Sequence, residues 1–204
     1  MQITIVGGSQ GTGAQLAQLA MKAGHVVTVV TRSGQVPEGA ERVMGSAADP
    51  AVARLAVTGA DAVVITVGGA KGVKHQRTAV TRTVIEQMKG VGVRRLLVQS
   101  SLGAGESTSQ LPALLRLPMR LMLAAPLADH NEQETAVVAS GLDWTIVRPA
   151  GLTDKPGTGA WQALETSEPG TLRGTIPRAD LAASMLEALE DPSTIGSALG
   201  VSSR

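Results

Sequence analysis

The sequence predicts one doubly wound α/β domain built on a mostly parallel sheet, and three observations carry that prediction. β-branched apolar runs of strand length alternate with segments of helical period along the whole chain. The first such run, Ile3-Thr4-Ile5-Val6, breaks into Gly7-Gly8-Ser9-Gln10-Gly11-Thr12-Gly13 before a helical segment opens. Asp61-Ala62-Val63-Val64-Ile65-Thr66-Val67 is apolar along nearly its full length, and a strand buried on both faces belongs at the centre of a parallel sheet.

Composition narrows the class. At 204 residues and 43% hydrophobic content the chain suits one domain, 1–204, with an ordinary buried core. The formal net charge is +1 and the lysines and arginines are scattered, which argues against a nucleic-acid surface. The absence of cysteine removes disulfides, thiol nucleophiles and cysteine-ligated metals, and no metal site is expected. The N-terminus runs straight into the first strand without a basic-then-apolar leader. No apolar run reaches membrane-spanning length, so a soluble cytoplasmic protein is expected. With no Tyr and no Phe, and Trp144 and Trp161 as the only tryptophans, aliphatic side chains must fill the core and no phenol can serve as a catalytic acid.

In chain order, Ala14 to Ala23 carries Leu16, Leu19, Ala20 and Ala23 on one predicted helix face, and Gly24 ends it. Val26 to Val30 follows as a strand, so residues 3–30 form a complete βαβ unit of Rossmann type. A strand that ends in glycines and reopens as a helix aims bare N–H groups and a helix N-terminus at an anion, which points to a dinucleotide. Strand two ends in Thr31-Arg32-Ser33, where an acidic residue would bind the ribose 2′-hydroxyl of NAD. Arg32 offers paired donors to phosphate oxygens and Ser33 a hydroxyl, which favours NADP over NAD; an exposed arginine in a solvated loop is the alternative.

Glu41 to Met44 reads as a short third strand, and Asp49-Pro50 as the N-cap and first position of the next helix. The fourth strand ends in Gly68-Gly69, which either admit a ligand at the carboxyl edge or simply make a turn. Residues 70–77 hold Lys71, Lys74, His75 and Arg77, a basic loop that touches phosphate or faces water. Thr78 to Lys89 is predicted helical, stopped by Gly90 and Gly92. Arg95 to Ser101 is a fifth strand with Ser100 and Ser101 at its carboxyl tip.

From 102 to 128 the alternation fails: leucines and methionines are interrupted by Pro112, Pro118 and Pro126. This stretch reads as a lid over an apolar substrate, or else as a satellite helix or dimer contact. Asp129 to Ala139 is a helix and Leu142 to Arg148 a sixth strand, ended by Pro149. Residues 150–176 form a substrate-side loop region. Pro177 opens a last helix through Leu189, stopped by Asp191-Pro192, and Leu199 to Val201 suggests a final edge strand.

Five segments then share a pattern: Val6 to Gly13, Val29 to Arg32, Val98 to Ser101, Ser140 to Pro149 and Ile176 to Ala182. In order, and over nearly the whole chain, they resemble the atypical short-chain dehydrogenase/reductases of the NAD(P)H-binding type. That group includes biliverdin reductase B (flavin reductase) and the NmrA-like proteins. The sequence departs from it in spacing its glycines G-x-x-x-G-x-G, as the tyrosine-dependent reductases do, and Ser46 stands where relatives carry an Asp for the adenine amine. The Y-x-x-x-K pair is absent, and His130-Asn131-Glu132-Gln133-Glu134 replaces K-x-x-x-E.

The resemblance and the strand ends together nominate Gly7, Ser9, Gln10, Gly11, Thr12, Gly13, Arg32, Ser33, Ser46, Val67, Gly68, Gly69, Ser100 and Pro149 for the cofactor, NADPH. Ser101 matches the family's substrate-facing serine and would polarise a carbonyl. The proton would come from His130, titrating near neutral pH with Glu134 one turn on to hold its tautomer, or from solvent. The leading expectation is an NADPH-dependent reductase of a planar apolar acceptor, with flavin entering as substrate rather than prosthetic group. The alternatives are an NmrA-like cofactor sensor without chemistry and an isomerase. A small-molecule substrate, no nucleic acid, no membrane, and a monomer or homodimer are expected.

Overall fold

The computed structural model describes residues 1–69 and 75–204, so the predicted basic positions Lys71 and Lys74 lie outside the described residues. Its strands are β1 (Gln2–Val6), β2 (Val26–Thr31), β3 (Glu41–Met44), β4 (Ala62–Ile65), β5 (Arg95–Gln99), β6 (Asp143–Pro149), β7 (Gly151–Thr153), β8 (Trp161–Glu165), β9 (Thr175–Pro177) and β10 (Ser197–Ser203). The helices are α1 (Gly11–Lys22), α2 (Pro50–Val57), α3 (Gln76–Val91), α4 (Ala113–Met122), α5 (Ala124–Val138) and α6 (Arg178–Glu190).

The eight-stranded sheet runs β3-β2-β1-β4-β5-β6-β10-β8, parallel except for β8. Strand order reverses between β1 and β4, and doubly wound sheets open their ligand crevice at such a reversal. Period-two alternation sends Ile3, Ile5, Val64 and Leu97 to one face, against Leu16, Ala17 and Ala20 of α1 and Leu181, Met185 and Leu189 of α6. Val63, Ile65, Leu96 and Val98 go to the other face, against Val84, Ile85 and Met88 of α3. The core is aliphatic, as a chain without Phe or Tyr requires. Among the described residues no helix is long and apolar enough to cross a membrane.

Several boundaries differ from expectation. α1 starts at Gly11, not Ala14, so the last glycines of the turn form its first turn; Ala23 is exposed and Ala17 takes its place in the core. The seat of α1 is so close that a Cβ on Gly13 would run into the Gly7 carbonyl and the Thr66 hydroxyl. α3 begins at Gln76 and passes through Gly90, ending only at Gly92 in the left-handed region (φ 82°). Asp49 caps α2 as predicted, accepting from the Ala51 amide at 2.8 Å.

Asp129 does not open a helix. It lies inside α5, which starts five residues earlier at Ala124, and it caps α3 from across the helix pair. Its carboxylate accepts from the amides of Arg77 (3.2 Å) and Thr78 (3.1 Å) and from the Thr78 hydroxyl (2.8 Å). Burial alone would raise this carboxyl, but the Thr78 and Arg77 hydrogen bonds together hold it below the usual carboxylate range.

The final strand is longer than predicted and interior: β10 lies between β6 and the antiparallel edge strand β8. That edge comes from the predicted loop region 150–176, which also supplies β7, paired with β9 in a small parallel sheet. Asp180 of α6 holds the turn between β7 and β8, accepting from the Thr158 and Gly159 amides at 2.9–3.0 Å. A buried pair, Arg148 Nε to Glu134 Oε1 at 3.0 Å and Nη2 to Oε2 at 2.8 Å, ties β6 to α5. The remaining guanidinium nitrogen donates to the Thr166 hydroxyl at 2.8 Å, just past β8.

Candidate active site

Two cavities meet at the carboxyl edge of the sheet. The first, about 320 Å³, is a groove over the switch point, floored by the glycine turn and walled by the ends of β2, β3 and β4. Gly7 (φ 96°) and Gly11 (φ 58°) adopt conformations that L side chains avoid, so the turn folds tightly enough to lay main chain along the groove. Gln10 precedes α1 without capping it through its side chain, and the first turn of α1 carries no acid. The orphan amides and dipole of that helix are therefore left to a ligand.

Of the residues nominated for the cofactor, Gly7, Ser9, Gln10, Gly11, Thr12, Arg32, Ser46, Val67, Gly68 and Gly69 line this groove. Gly13 does not: its role is the close approach of α1 to the turn and to Thr66. Ser33 does not line it either; its hydroxyl lies 3.1 Å from that of Thr31, which does. Arg32 is exposed and has no ion pair or hydrogen bond among the described residues. A Cβ on Gly68 would meet nothing within 4 Å among the described residues, so its lack of a side chain serves no internal packing.

The groove fits a dinucleotide by a second test. The side-chain oxygens of Gln76 and Gln99 are buried and lack a hydrogen-bond partner among the described residues, and both residues line the groove. Acceptors left unpaired in this way suit a ligand carrying amide or hydroxyl donors. Sequence reasoning missed both glutamines and also Arg178, which lines the groove from α6. Gln99 lies in the strand-five segment and Arg178 in the Ile176 to Ala182 segment already singled out, so the signal was present without a role attached to it.

The second cavity, about 310 Å³, shares Thr66, Val67, Gly68, Gln99 and Leu152 with the groove. Leu102, Leu111, Leu123 and Leu172 make it largely apolar, and Ser100, Ser101, His130 and Pro149 also line it. Ser100 and Pro149, nominated for the cofactor, thus sit on this side. Ser101 donates to the Leu102 carbonyl at 3.3 Å. The segment 102–128 divides: Leu111, Pro112 and Leu123 face the cavity, whereas Leu114, Leu117, Leu121 and Met122 of α4 are exposed.

His130 corrects two expectations. Glu134 does not hold its tautomer, being committed to Arg148. Gln133 does: its amide donates to the Thr81 hydroxyl at 2.9 Å, which turns its oxygen to His130 Nδ1 at 3.3 Å and places the ring proton on Nδ1. The Ser100 hydroxyl lies 3.4 Å from the same nitrogen. Nor does the ring titrate near neutrality. Burial first, then the nearby Arg77 charge, push it from 6.5 down to about 4, against opposing effects of Gln133, Glu134 and Asp129. At neutral pH His130 is a neutral donor and acceptor, with no imidazolium proton to give.

A pH dependence follows. Between about 6.5 and 4 the unfolded chain holds a proton on His130 that the folded chain refuses, so stability is complete above pH 6.5 and declines as pH falls through that window. The decline amounts to about 3 kcal/mol. Urea titrations of the parent and His130→Asn between pH 4 and 7.5 should differ in slope over this window; parallel curves would place the ring in a solvated setting.

Comparison with known proteins agrees with this geometry. Residues 7–192 match the model of the NAD(P)H-binding family. ChuY, an anaerobillin reductase from Escherichia coli O157:H7, superposes with a TM-score of 0.83 at 26% identity, covering 100% of this chain and 97% of its own. A short-chain dehydrogenase/reductase from Veillonella parvula, solved in complex with NADP, has a TM-score of 0.83 over 98% of this chain and 94% of its own; at 19% identity the likeness is one of fold. YhfK of Bacillus subtilis, described as an uncharacterized sugar epimerase, is 27% identical over 206 residues, spanning 95% of this chain and 90% of its own. With a glycine turn at the switch point, an uncapped α1 above it and a family match across most of its length, the chain belongs to the NAD(P)H-binding family and has its Rossmann-type oxidoreductase fold.

Proposed function

We propose that this protein is an NADPH-dependent reductase that passes a hydride to a planar, apolar, conjugated acceptor such as a flavin, a quinone or an enone. The observation that carries the reading is the shared wall: the dinucleotide groove opens through Thr66, Val67, Gly68 and Gln99 onto a leucine-lined cavity with Ser100, Ser101 and His130 along one side. ChuY, named as a reductase, and the Veillonella protein, solved with NADP, support it by analogy.

Bound NADPH would supply the hydride. The chain's task is to position the acceptor, exclude water and offer hydrogen bonds where negative charge collects. The leucines desolvate the acceptor, and the Ser101 hydroxyl donates to a carbonyl or ring nitrogen once it leaves the Leu102 carbonyl. Neutral His130 holds the Ser100 hydroxyl beside it, and the proton that completes the reduction enters from solvent.

The test is NADPH oxidation across a panel of flavins, quinones, enones and anaerobillin. Turnover of at least one class is expected, with Ser101→Ala lowering kcat by about 10- to 100-fold while NADPH affinity stays within about twofold. Tight NADPH binding with no turnover anywhere would instead favour the regulatory alternative, a cofactor sensor.

A further inference from the structure

Arg178 is the first residue of α6, where the positive end of the helix dipole disfavours a cation. Its guanidinium nevertheless reaches back over the groove: Nε and Cδ come within 3.4 Å and 3.7 Å of where a Cβ on Gly11 would sit. Asp154, from the loop after β7, accepts from Nη1 at 2.8 Å. That carboxylate is 88% exposed, and so open an ion pair contributes too little stability to account for a cation in this position. The guanidinium and the uncapped first turn of α1 converge on one part of the groove, and both favour an anion.

We propose that Arg178 is a pyrophosphate clasp, oriented by Asp154, that reaches over the cofactor groove beside Gly11 of the glycine turn. The inference rests on the dinucleotide reading above and adds a residue from α6 to a groove floored by the glycine turn and walled by the ends of β2, β3 and β4. Arg32 would then read the 2′-phosphate and Arg178 the bridging phosphates, so the two arginines should separate by ligand. Asp154 engages one terminal nitrogen, and among the described residues the other N–H groups have no partner and can donate to a ligand.

Calorimetric titration of the parent and of Arg178→Met, Arg178→Lys and Asp154→Asn tests this with NADPH, 2′-phospho-ADP-ribose and adenosine 2′-phosphate, alongside melting temperatures. Arg178→Met should weaken NADPH and 2′-phospho-ADP-ribose by about 10- to 100-fold, leaving adenosine 2′-phosphate, which lacks a pyrophosphate, within about twofold. Arg178→Lys should recover part of that loss, and Asp154→Asn should cost about two- to fivefold through lost orientation. Equal losses for all three ligands would mark a structural role and overturn the clasp, as would unchanged binding in Arg178→Met. If Arg178→Met does not fold, the selectivity of the Lys and Asn variants decides in the same way. A parent that binds neither pyrophosphate ligand would remove the dinucleotide reading itself, a result distinct from unchanged binding in the variant.

Discussion

Arg32→Glu should weaken NADPH binding by at least about a hundredfold and leave NADH within about threefold. The parent side chain is exposed, lines the groove beside Thr31 and Ser46, and has no other partner among the described residues. A guanidinium meeting a phosphate as a paired donor contributes about 1.5–3 kcal/mol, and a carboxylate in its place adds like-charge repulsion of about 1 kcal/mol or more. Together these correspond to about two or three decades of affinity. NADH has no 2′-phosphate to lose, and a carboxylate at this point can accept from its ribose hydroxyl. Fluorescence titration of both cofactors against both proteins checks it; equal losses would remove Arg32 from 2′-phosphate recognition.

The largest effect on stability should come from Glu134→Gln. Arg148 and Glu134 are 7% and 6% exposed and joined by two hydrogen bonds at 2.8 and 3.0 Å. Removing one charge leaves the other buried and uncompensated, which costs about 3–5 kcal/mol. For a domain of this length that corresponds to a fall of about 10 °C in Tm. The double variant Glu134→Met with Arg148→Met should recover most of it, since replacing both partners by apolar groups is often neutral. A double variant no more stable than the single one would show that the pair does more than neutralise itself. The pair adjoins Gly105, where a Cβ would collide with both side chains, so the start of the 102–128 segment depends on it as well.

What could be read without coordinates was local. The βαβ unit was legible because β-branched runs, the glycine turn and the helical period each lie within a few residues of one another. The same holds for Asp49-Pro50 at the start of α2, found where expected, and for the buried β4, which lies within the expected stretch but ends at Ile65, short of Gly68-Gly69. The 150–176 region failed because its strands are short, and an antiparallel edge such as β8 is defined by its partner, Ser197–Ser203, and not by its own pattern.

At the site, the glycine turn, Arg32 and the Ser100–Ser101 tip were legible by chemistry and position along the chain. His130 was found but its state was not, because a pKa of about 4 is set by burial and by Arg77, a residue far away in sequence. The choice of Gln133 over Glu134 as its partner depends on Arg148 claiming the glutamate, a competition between side chains on different elements. Asp129 as the cap of α3, Gly13 as a packing contact and Arg178 beside Gly11 are likewise meetings of distant segments. The sequence by itself determined the architecture and the cofactor class, because backbone propensity and turn chemistry act over short range. The tertiary structure alone decided which charges are paired, which groups are neutral and which side chains face the groove, because burial and long-range contact set all three.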